Sequence, residues 1–204
     1  MSLKLAVGSY DPAAFFVRRE VTDMSSEEHV TRKSRTLIHA GTIIDYYQDE
    51  MLLPNGNTEI WDFVKHRKGA ACIVPITKDG KILLVRQFRP ALERYTWEIP
   101  AGQKDSVGED PLQCAKRELR EETGYDSDHI EKLLSLQSTV AFCNEAIDVY
   151  LAKDIYPVGT QQLDDAEAID CKLWEIEDVL ALIDSGKMED GKTIAGILAA
   201  LRRI

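Results

Sequence analysis

Three glutamates, Glu118, Glu121 and Glu122, crowd one short string: Arg117-Glu118-Leu119-Arg120-Glu121-Glu122-Thr123-Gly124-Tyr125. Wound as a helix at ~100° per residue, the three carboxylates share an arc of about 100°. Leu112, Ala115 and Leu119 fall on the adjoining face, where they can pack on a sheet. Like charges one turn apart cost a few tenths of a kcal/mol, and anions near a helix C-terminus oppose its dipole. A hard divalent cation reverses that cost. Mg²⁺ or Mn²⁺ takes oxygen donors and keeps waters and substrate phosphates in its shell. Glu118 and Glu122, one turn apart, are a suitable platform for it. The bare Glu-x-x-Glu-Glu pattern also fits a solvated acidic face balanced by Arg117 and Arg120.

A second string, Gly186-x4-Gly191-Lys192-Thr193, has the letters of a phosphate-binding loop. Its context is wrong for one. It follows a helical pattern rather than a buried strand, and Glu189 and Asp190 would repel phosphate. Only 11 residues, 194–204, remain after it. The reading adopted is a turn between two helices.

The elements that must carry these residues are legible as changes of period. Ser25-x-x-Glu28 reads as a capping box opening a short helix through Arg35. From Thr42 the pattern is that of a strand ending in Met51-Leu52-Leu53. Pro54-Asn55-Gly56-Asn57 is a turn, and Glu59 to His66 is the return strand. Ala70 to Ile76 is an apolar run expected as a buried strand, Lys78-Asp79-Gly80 a hairpin turn, and Ile82 to Phe88 its partner. Trp97-Glu98-Ile99 is a short extended piece. Asp110 to Thr123 is a helix, with Pro111 in its first turn and Gly124 just past its end. Leu133 to Val140, Ile147 to Ala152 and Ala168 to Trp174 read as strands; Glu175 to Asp184 and Thr193 to Arg203 read as helices. The class is mixed α/β, with an N-terminal β-rich region over 1–66 and a main domain over 67–204.

Composition bounds the rest. The chain has 204 residues and a formal net charge of −10, which speaks against non-specific binding to nucleic acid or anionic lipid. No apolar run reaches the ~18 residues of a membrane helix. Gly8, Asp11 and Pro12 interrupt the stretch where a signal peptide would lie, so none is expected. Cys72, Cys114, Cys143 and Cys171 form no CxxC pair and read as reduced thiols in a cytoplasmic protein. His29, His39, His66 and His129 lack metal-ligand spacing and read as structural or surface residues.

The acidic string closely resembles the Nudix box of the Nudix hydrolases, G-x5-E-x7-R-E-U-x-E-E-x-G-U with U apolar. Glu109, Arg117, Glu118, Leu119, Glu121, Glu122, Gly124 and Tyr125 fall in register. Six residues rather than five separate Gly102 from Glu109, and the extra one lies in the loop before the helix. Arg86-Gln87-Phe88-Arg89-Pro90, Trp97-Glu98-Ile99-Pro100-Ala101-Gly102 and Trp61-Asp62-Phe63-Val64 are similar to segments of the ADP-ribose pyrophosphatase branch. The resemblance implies an α/β/α sandwich with a mixed sheet, preceded by a small β-rich dimerisation region. It also implies a homodimer in which that region helps form the base pocket.

It implies roles residue by residue. Glu118 and Glu122 match the principal Mg²⁺ ligands, with Mn²⁺ a possible substitute. Glu121 matches an additional ligand, and Ala101 one that offers its backbone carbonyl. Arg117 matches the arginine that orients the helix carboxylates; Glu98 matches an acidic residue near the phosphates. Arg89 matches a basic residue that contacts substrate, and Trp61 an aromatic that stacks on adenine. Glu167 best matches the general base, with Asp165 second and Asp164 beside them. The implied reaction is metal-dependent hydrolysis of a nucleoside diphosphate sugar, ADP-ribose to AMP and ribose 5-phosphate. The alternatives are another substrate, such as GDP-mannose or a dinucleotide, and a sensor that binds nucleotide sugars without cleaving them.

Overall fold

A computed structural model describes residues 29–163 and 168–204. In chain order the elements are β1 Thr31–Ala40, β2 Ile44–Leu52, β3 Thr58–His66, β4 Ala70–Pro75, β5 Ile82–Arg89, β6 Arg94–Glu98, β7 Ala101–Gln103, α1 Pro111–Thr123, β8 Tyr125–Asp126, β9 His129–Gln137, β10 Ala146–Lys153, β11 Tyr156–Pro157, β12 Asp170–Trp174, α2 Ile176–Asp184 and α3 Gly191–Ala200.

The buried strand β4 sets the layers. It is flanked by β7 and β10 in the order β7-β4-β10-β9, parallel to β10 and antiparallel to β7, so the sheet is mixed. Successive side chains leave a strand on opposite faces. Ala71 and Ile73 pack on Cys114, Ala115 and Leu119 of α1. Cys72 and Val74 face the other way, into a cluster with Val149, Val179, Ile197 and Ala200 from β10, α2 and α3. Helix, sheet and helix therefore form three layers. Each fully buried Leu or Ile in them contributes roughly 1.5–3 kcal/mol.

Two expectations of pairing are corrected. Ile82 to Phe88 does form a strand, yet it is not the hairpin partner of β4. The tight turn closes, with the Gly80 N–H donating to Thr77 O at 2.9 Å, and a single bridge joins Ile76 to Ile82. Both edges of β4 are already taken by β7 and β10, so β5 diverges into a second sheet of order β12-β5-β6. The helix expected through Arg35 is also absent over the described part of that span, since Thr31–Ala40 is strand β1. It pairs with β2 from Thr31 opposite Leu52 to Ala40 opposite Asp45. Arg35 holds Asp49 through two hydrogen bonds of 2.6 Å and lies over the Phe63 ring at 3.8 Å. Ser25 and Glu28 lie outside the described residues.

Smaller differences follow the same logic of pairing. β9 begins at His129 and ends at Gln137 because β10 pairs with it only over that span; Thr139 and its neighbours form a turn instead. The short strands β7, β8 and β11 carry no sequence signal of their own. The three-stranded sheet β1-β2-β3 stands apart from the sandwich sheets. It joins them where Val64 N–H donates to Phe142 O at 2.7 Å and His66 N–H donates to Asn144 Oδ1 at 2.7 Å. Among the described residues no helix is long and apolar enough to cross a membrane.

Candidate active site

Helix α1 is closed at both ends by the residues expected to do so. The Asp110 side chain accepts from Leu112 N–H at 2.9 Å, and Pro111 occupies the first turn. Gly124 ends the helix with φ of 73°, and its N–H donates to Arg120 O at 2.8 Å. A Cβ there would sit 2.5 Å from Gly159 O, a backbone atom, so glycine is required on two counts.

This anchored helix presents its carboxylates inward. Glu118 and Glu122 are only 8% and 4% exposed. Ala101 N–H donates to Glu122 Oε2 at 3.1 Å. The Glu118 carboxylate occupies the space where a side chain at 102 would stand, so Gly102 is the residue that admits it. Arg117 gathers the neighbouring acids, reaching Glu118 at 2.6 Å, Glu121 at 3.0 Å and Glu109 at 3.4 Å. It also donates to the backbone oxygen of Gln103 at 3.1 Å. Burial works against the arginine's charge, but the carboxylates outweigh it and raise its pKa further. Arg117 thus offsets the repulsion that the acidic string would otherwise carry.

Among the described residues no three His, Cys, Asp or Glu side chains are gathered as a ready metal cage. The donor set nevertheless suits a hard cation that keeps part of its shell. Two nearly buried carboxylates one turn apart, with backbone beside them, leave the remaining positions to waters and phosphate oxygens.

Ala101 and Gly102 are a shared wall. Behind them lie Glu122 and Glu118; in front lies a cleft of about 650 Å³ that both residues line. Arg89 and Lys192 line the cleft with Asp190 beside them, His66 and Glu145 line it as well, and Ala70 and Ile147 give apolar lining. Glu98 organises the cations. It is 1% exposed, and Arg89 grips it through Nε at 2.7 Å and Nη2 at 2.5 Å. Thr96 Oγ1 donates to it at 2.6 Å and Lys192 Nζ at 2.5 Å. Burial opposes ionisation of Glu98, but the Arg89 hydrogen bonds and the Lys192 charge prevail and hold its pKa at about 2.

The end of α1 also anchors the chain that follows β11. Gln162 N–H donates to Glu121 O at 2.8 Å. The Gln161 side-chain amide donates to Glu122 O at 2.6 Å and to Ile169 O at 3.0 Å.

Most residues expected in the site therefore converge. Glu118, Glu121, Glu122 and Arg117 share α1, Ala101 abuts Glu122, and Arg89 with Glu98 borders the cleft. Trp61 is not brought to this cleft. It lies opposite Asp49 in the middle of β3, 44% exposed. Asp164, Asp165 and Glu167 lie outside the described residues. Lys192 and His66 line the cleft although neither was singled out for it. His66 Nδ1 accepts from Gly69 N–H at 3.0 Å, and Nε2 lies 3.3 Å from Gln103 Nε2 and 3.5 Å from Glu145 Oε1. Lys192 belongs to the string set aside as a turn between helices. That turn is present, because α2 ends at Asp184 and α3 begins at Gly191. Its lysine alone carried the signal.

Comparison with known proteins gives the family and the fold. A model of the NUDIX domain matches residues 65–197. The chain is 37% identical over 174 residues to the ADP-ribose pyrophosphatase of Bacillus subtilis (strain 168), covering 85% of this chain and 92% of that protein. It is 34% identical over 177 residues to the ADP-ribose pyrophosphatase of Mycobacterium tuberculosis (strain ATCC 25618 / H37Rv), covering 86% and 84%. A crystal structure of an ADP compounds hydrolase aligns with a TM-score of 0.77 at 19% identity, over 88% of this chain and 96% of that one, a likeness of fold.

Proposed function

The chain belongs to the Nudix family, and from that premise we propose that it hydrolyses the pyrophosphate bond of a nucleoside diphosphate sugar, cleaving ADP-ribose to AMP and ribose 5-phosphate. The observation that carries this reading is the pair of nearly buried carboxylates, Glu118 and Glu122, set directly behind the wall of a cleft lined by cationic side chains. The relatives named for ADP-ribose support the choice of substrate.

Glu118 and Glu122 would hold a divalent cation, with Glu121 and the Ala101 carbonyl as further donors. Mg²⁺ is the ion we assign, and Mn²⁺ a substitute. When bound, such a cation neutralises phosphate charge and lowers the pKa of a bound water. The residues of the chain supply the rest. Arg117 keeps the glutamates oriented while they are crowded together. Arg89, fixed by Glu98, meets the phosphates from the cleft. Water adds across the P–O–P bridge: it gives up a proton as its oxygen joins one phosphorus, and the bridging oxygen leaves with the other phosphorus as a phosphate monoester. We assign acceptance of that proton to Glu167, with Asp165 next. The anchoring of Gln161 and Gln162 on α1 supports this, because both stand within a few residues of these acids in the sequence.

We assign residues 1–66 to dimerisation and 67–204 to catalysis, in a homodimer working in the cytoplasm. Leu37, Ile38, Ile60 and Trp61 are all exposed on the sheet β1-β2-β3, as a subunit interface would leave them in one chain alone. Trp61 would then stack on the adenine held in the partner subunit's cleft. The test is AMP release measured across a panel of nucleotide sugars with Mg²⁺. ADP-ribose should lead the panel. Absence of turnover with every member would refute the assignment, and preference for a non-adenine sugar would move it within the family.

A further inference from the structure

The Asp190-Gly191-Lys192-Thr193 segment is fastened to the strand that carries Glu98. Thr193 Oγ1 accepts from Ile99 N–H at 2.9 Å, and Asp190 Oδ2 accepts from Thr193 N–H at 3.0 Å. Lys192 is thereby delivered to Glu98 Oε2 at 2.5 Å and Asp190 Oδ2 at 2.9 Å, with its side chain 11% exposed. It lines the same cleft as Arg89.

The acceptors and donors of this cluster are unevenly spent. Both Glu98 oxygens are taken by Arg89, Thr96 and Lys192, and the side chain is 2% exposed, behind the cations. The Asp190 oxygen Oδ2 is shared between Lys192 and Thr193. Donors remain in front. Arg89, 39% exposed at its side chain, spends Nε and Nη2 on Glu98, and its Nη1 has no hydrogen-bond partner among the described residues. Lys192 spends two of its three N–H bonds. Asp190 also lines the cleft, its side chain 23% exposed against 11% for Lys192, so an anion there meets unspent N–H groups with a carboxylate beside them. Two cations on one carboxylate, with donors to spare, match the oxygens of a phosphoanhydride.

We propose that Lys192 is a second phosphate-binding residue, forming with Arg89 an anion subsite in the cleft and contacting the substrate diphosphate directly. The identity of the ligand rests on the proposed function; its anionic chemistry does not. Lysine enters by way of the first turn of α3, so the phosphate-loop letters around it are incidental.

Kinetics with ADP-ribose and Mg²⁺, and calorimetry with inorganic pyrophosphate in metal-free buffer, test this on Lys192→Met, Lys192→Arg, Arg89→Met and the double variant. Lys192→Met should raise KM about 10- to 100-fold, the worth of one charge-assisted hydrogen bond, while kcat changes less than about 3-fold. Pyrophosphate affinity should fall in parallel, inhibition by phosphate-free adenosine should not move, and Lys192→Arg should recover most of the loss. The double variant should be worse than either single variant but short of the product of their effects, because both cations share Glu98. A folded Lys192→Met enzyme with unchanged KM would overturn the proposal. So would a double variant no worse than Arg89→Met, since Lys192 would then act only through the arginine. Should Lys192→Met melt early, Lys192→Gln, which keeps a donor to Glu98, serves in its place. A wild-type enzyme inactive on ADP-ribose would refute that activity and leave the pyrophosphate titration to decide the subsite.

Discussion

Adding one methyl group at Gly102 should silence the enzyme without unfolding it. Gly102 pairs with Ala71 between β7 and β4, and its φ lies outside the left-handed region, so alanine suits the backbone. The new Cβ would fall on the Glu118 carboxylate, well inside the 3.0 Å that real Cβ atoms keep. The carboxylate would have to retreat by about 1 Å. It is the far end of a flexible side chain, so it can. The cost in stability combines part of the Glu118–Arg117 pair, roughly 1.5–3 kcal/mol for a charged hydrogen bond, with a gain of ~0.4–1 kcal/mol from a stiffer unfolded chain. Arg117 keeps Glu121 and Glu109, which limits the loss further. Melting should therefore shift by only a few degrees, at ~2–4 °C per kcal/mol for a chain of this size. A metal ligand displaced by ~1 Å, in contrast, costs on the order of 100-fold in rate. AMP release from ADP-ribose, titrated with Mg²⁺, reads the second quantity, and thermal unfolding reads the first. Full activity at ordinary Mg²⁺ in a folded Gly102→Ala protein would show that Glu118 does not act from the position it holds against β7.

Other expectations follow from the same geometry. Glu122→Gln keeps an acceptor for Ala101 N–H and removes one buried charge, so it should melt at or above the wild-type temperature while losing ~100-fold or more of its Mg²⁺-dependent activity. Glu98 has a folded pKa of about 2, below the ~4.3 of a free glutamate, so its contribution is complete above about pH 4.3 and is lost as pH falls toward 2. That contribution is on the order of 3 kcal/mol, and urea unfolding between pH 5 and pH 3 should show a steeper loss of stability in the wild type than in Glu98→Gln, where the other lowered carboxylates such as Asp126 and Asp148 still act. Burial pushes the thiols of Cys72 and Cys114 up to about 12, whereas Cys171 is exposed. A thiol reagent at about pH 8 should label Cys171 in the native protein and reach Cys72 and Cys114 only after denaturation.

The parts of the site legible in the sequence are those built from neighbours. Asp110, Pro111 and Gly124 mark the ends of α1 by local chemistry, and the glutamates between them stand out because their crowding has no local benefit. What escaped notice is built from distant pairs. Lys192 meets Glu98 across 94 positions of sequence, and nothing near either residue announces the other. The same holds for β1, where a local capping signal competes with pairing to β2 and with the fork of Arg35 on Asp49, and loses. The sequence marks β5 as a strand but not its partner, because the competitors for the edges of β4 come from residues 101–103 and 146–153. Glycine at 102 was visible as a letter, but the carboxylate it admits was not.

The two footholds on the end of α1 have a consequence for how this protein can vary. The backbone of Gln162 stands on Glu121, and the Gln161 amide reaches both Glu122 and Ile169. Gln162 and Ile169, on either side of the acids assigned to proton transfer, are thus both tied to the same small area. Moving Gln161 along the chain by one residue would displace its amide by up to ~3.5 Å, beyond hydrogen-bond reach of either carbonyl. Its place is therefore fixed by two carbonyls far apart in the sequence, so one side chain clamps the last turn of α1 to the approach to β12.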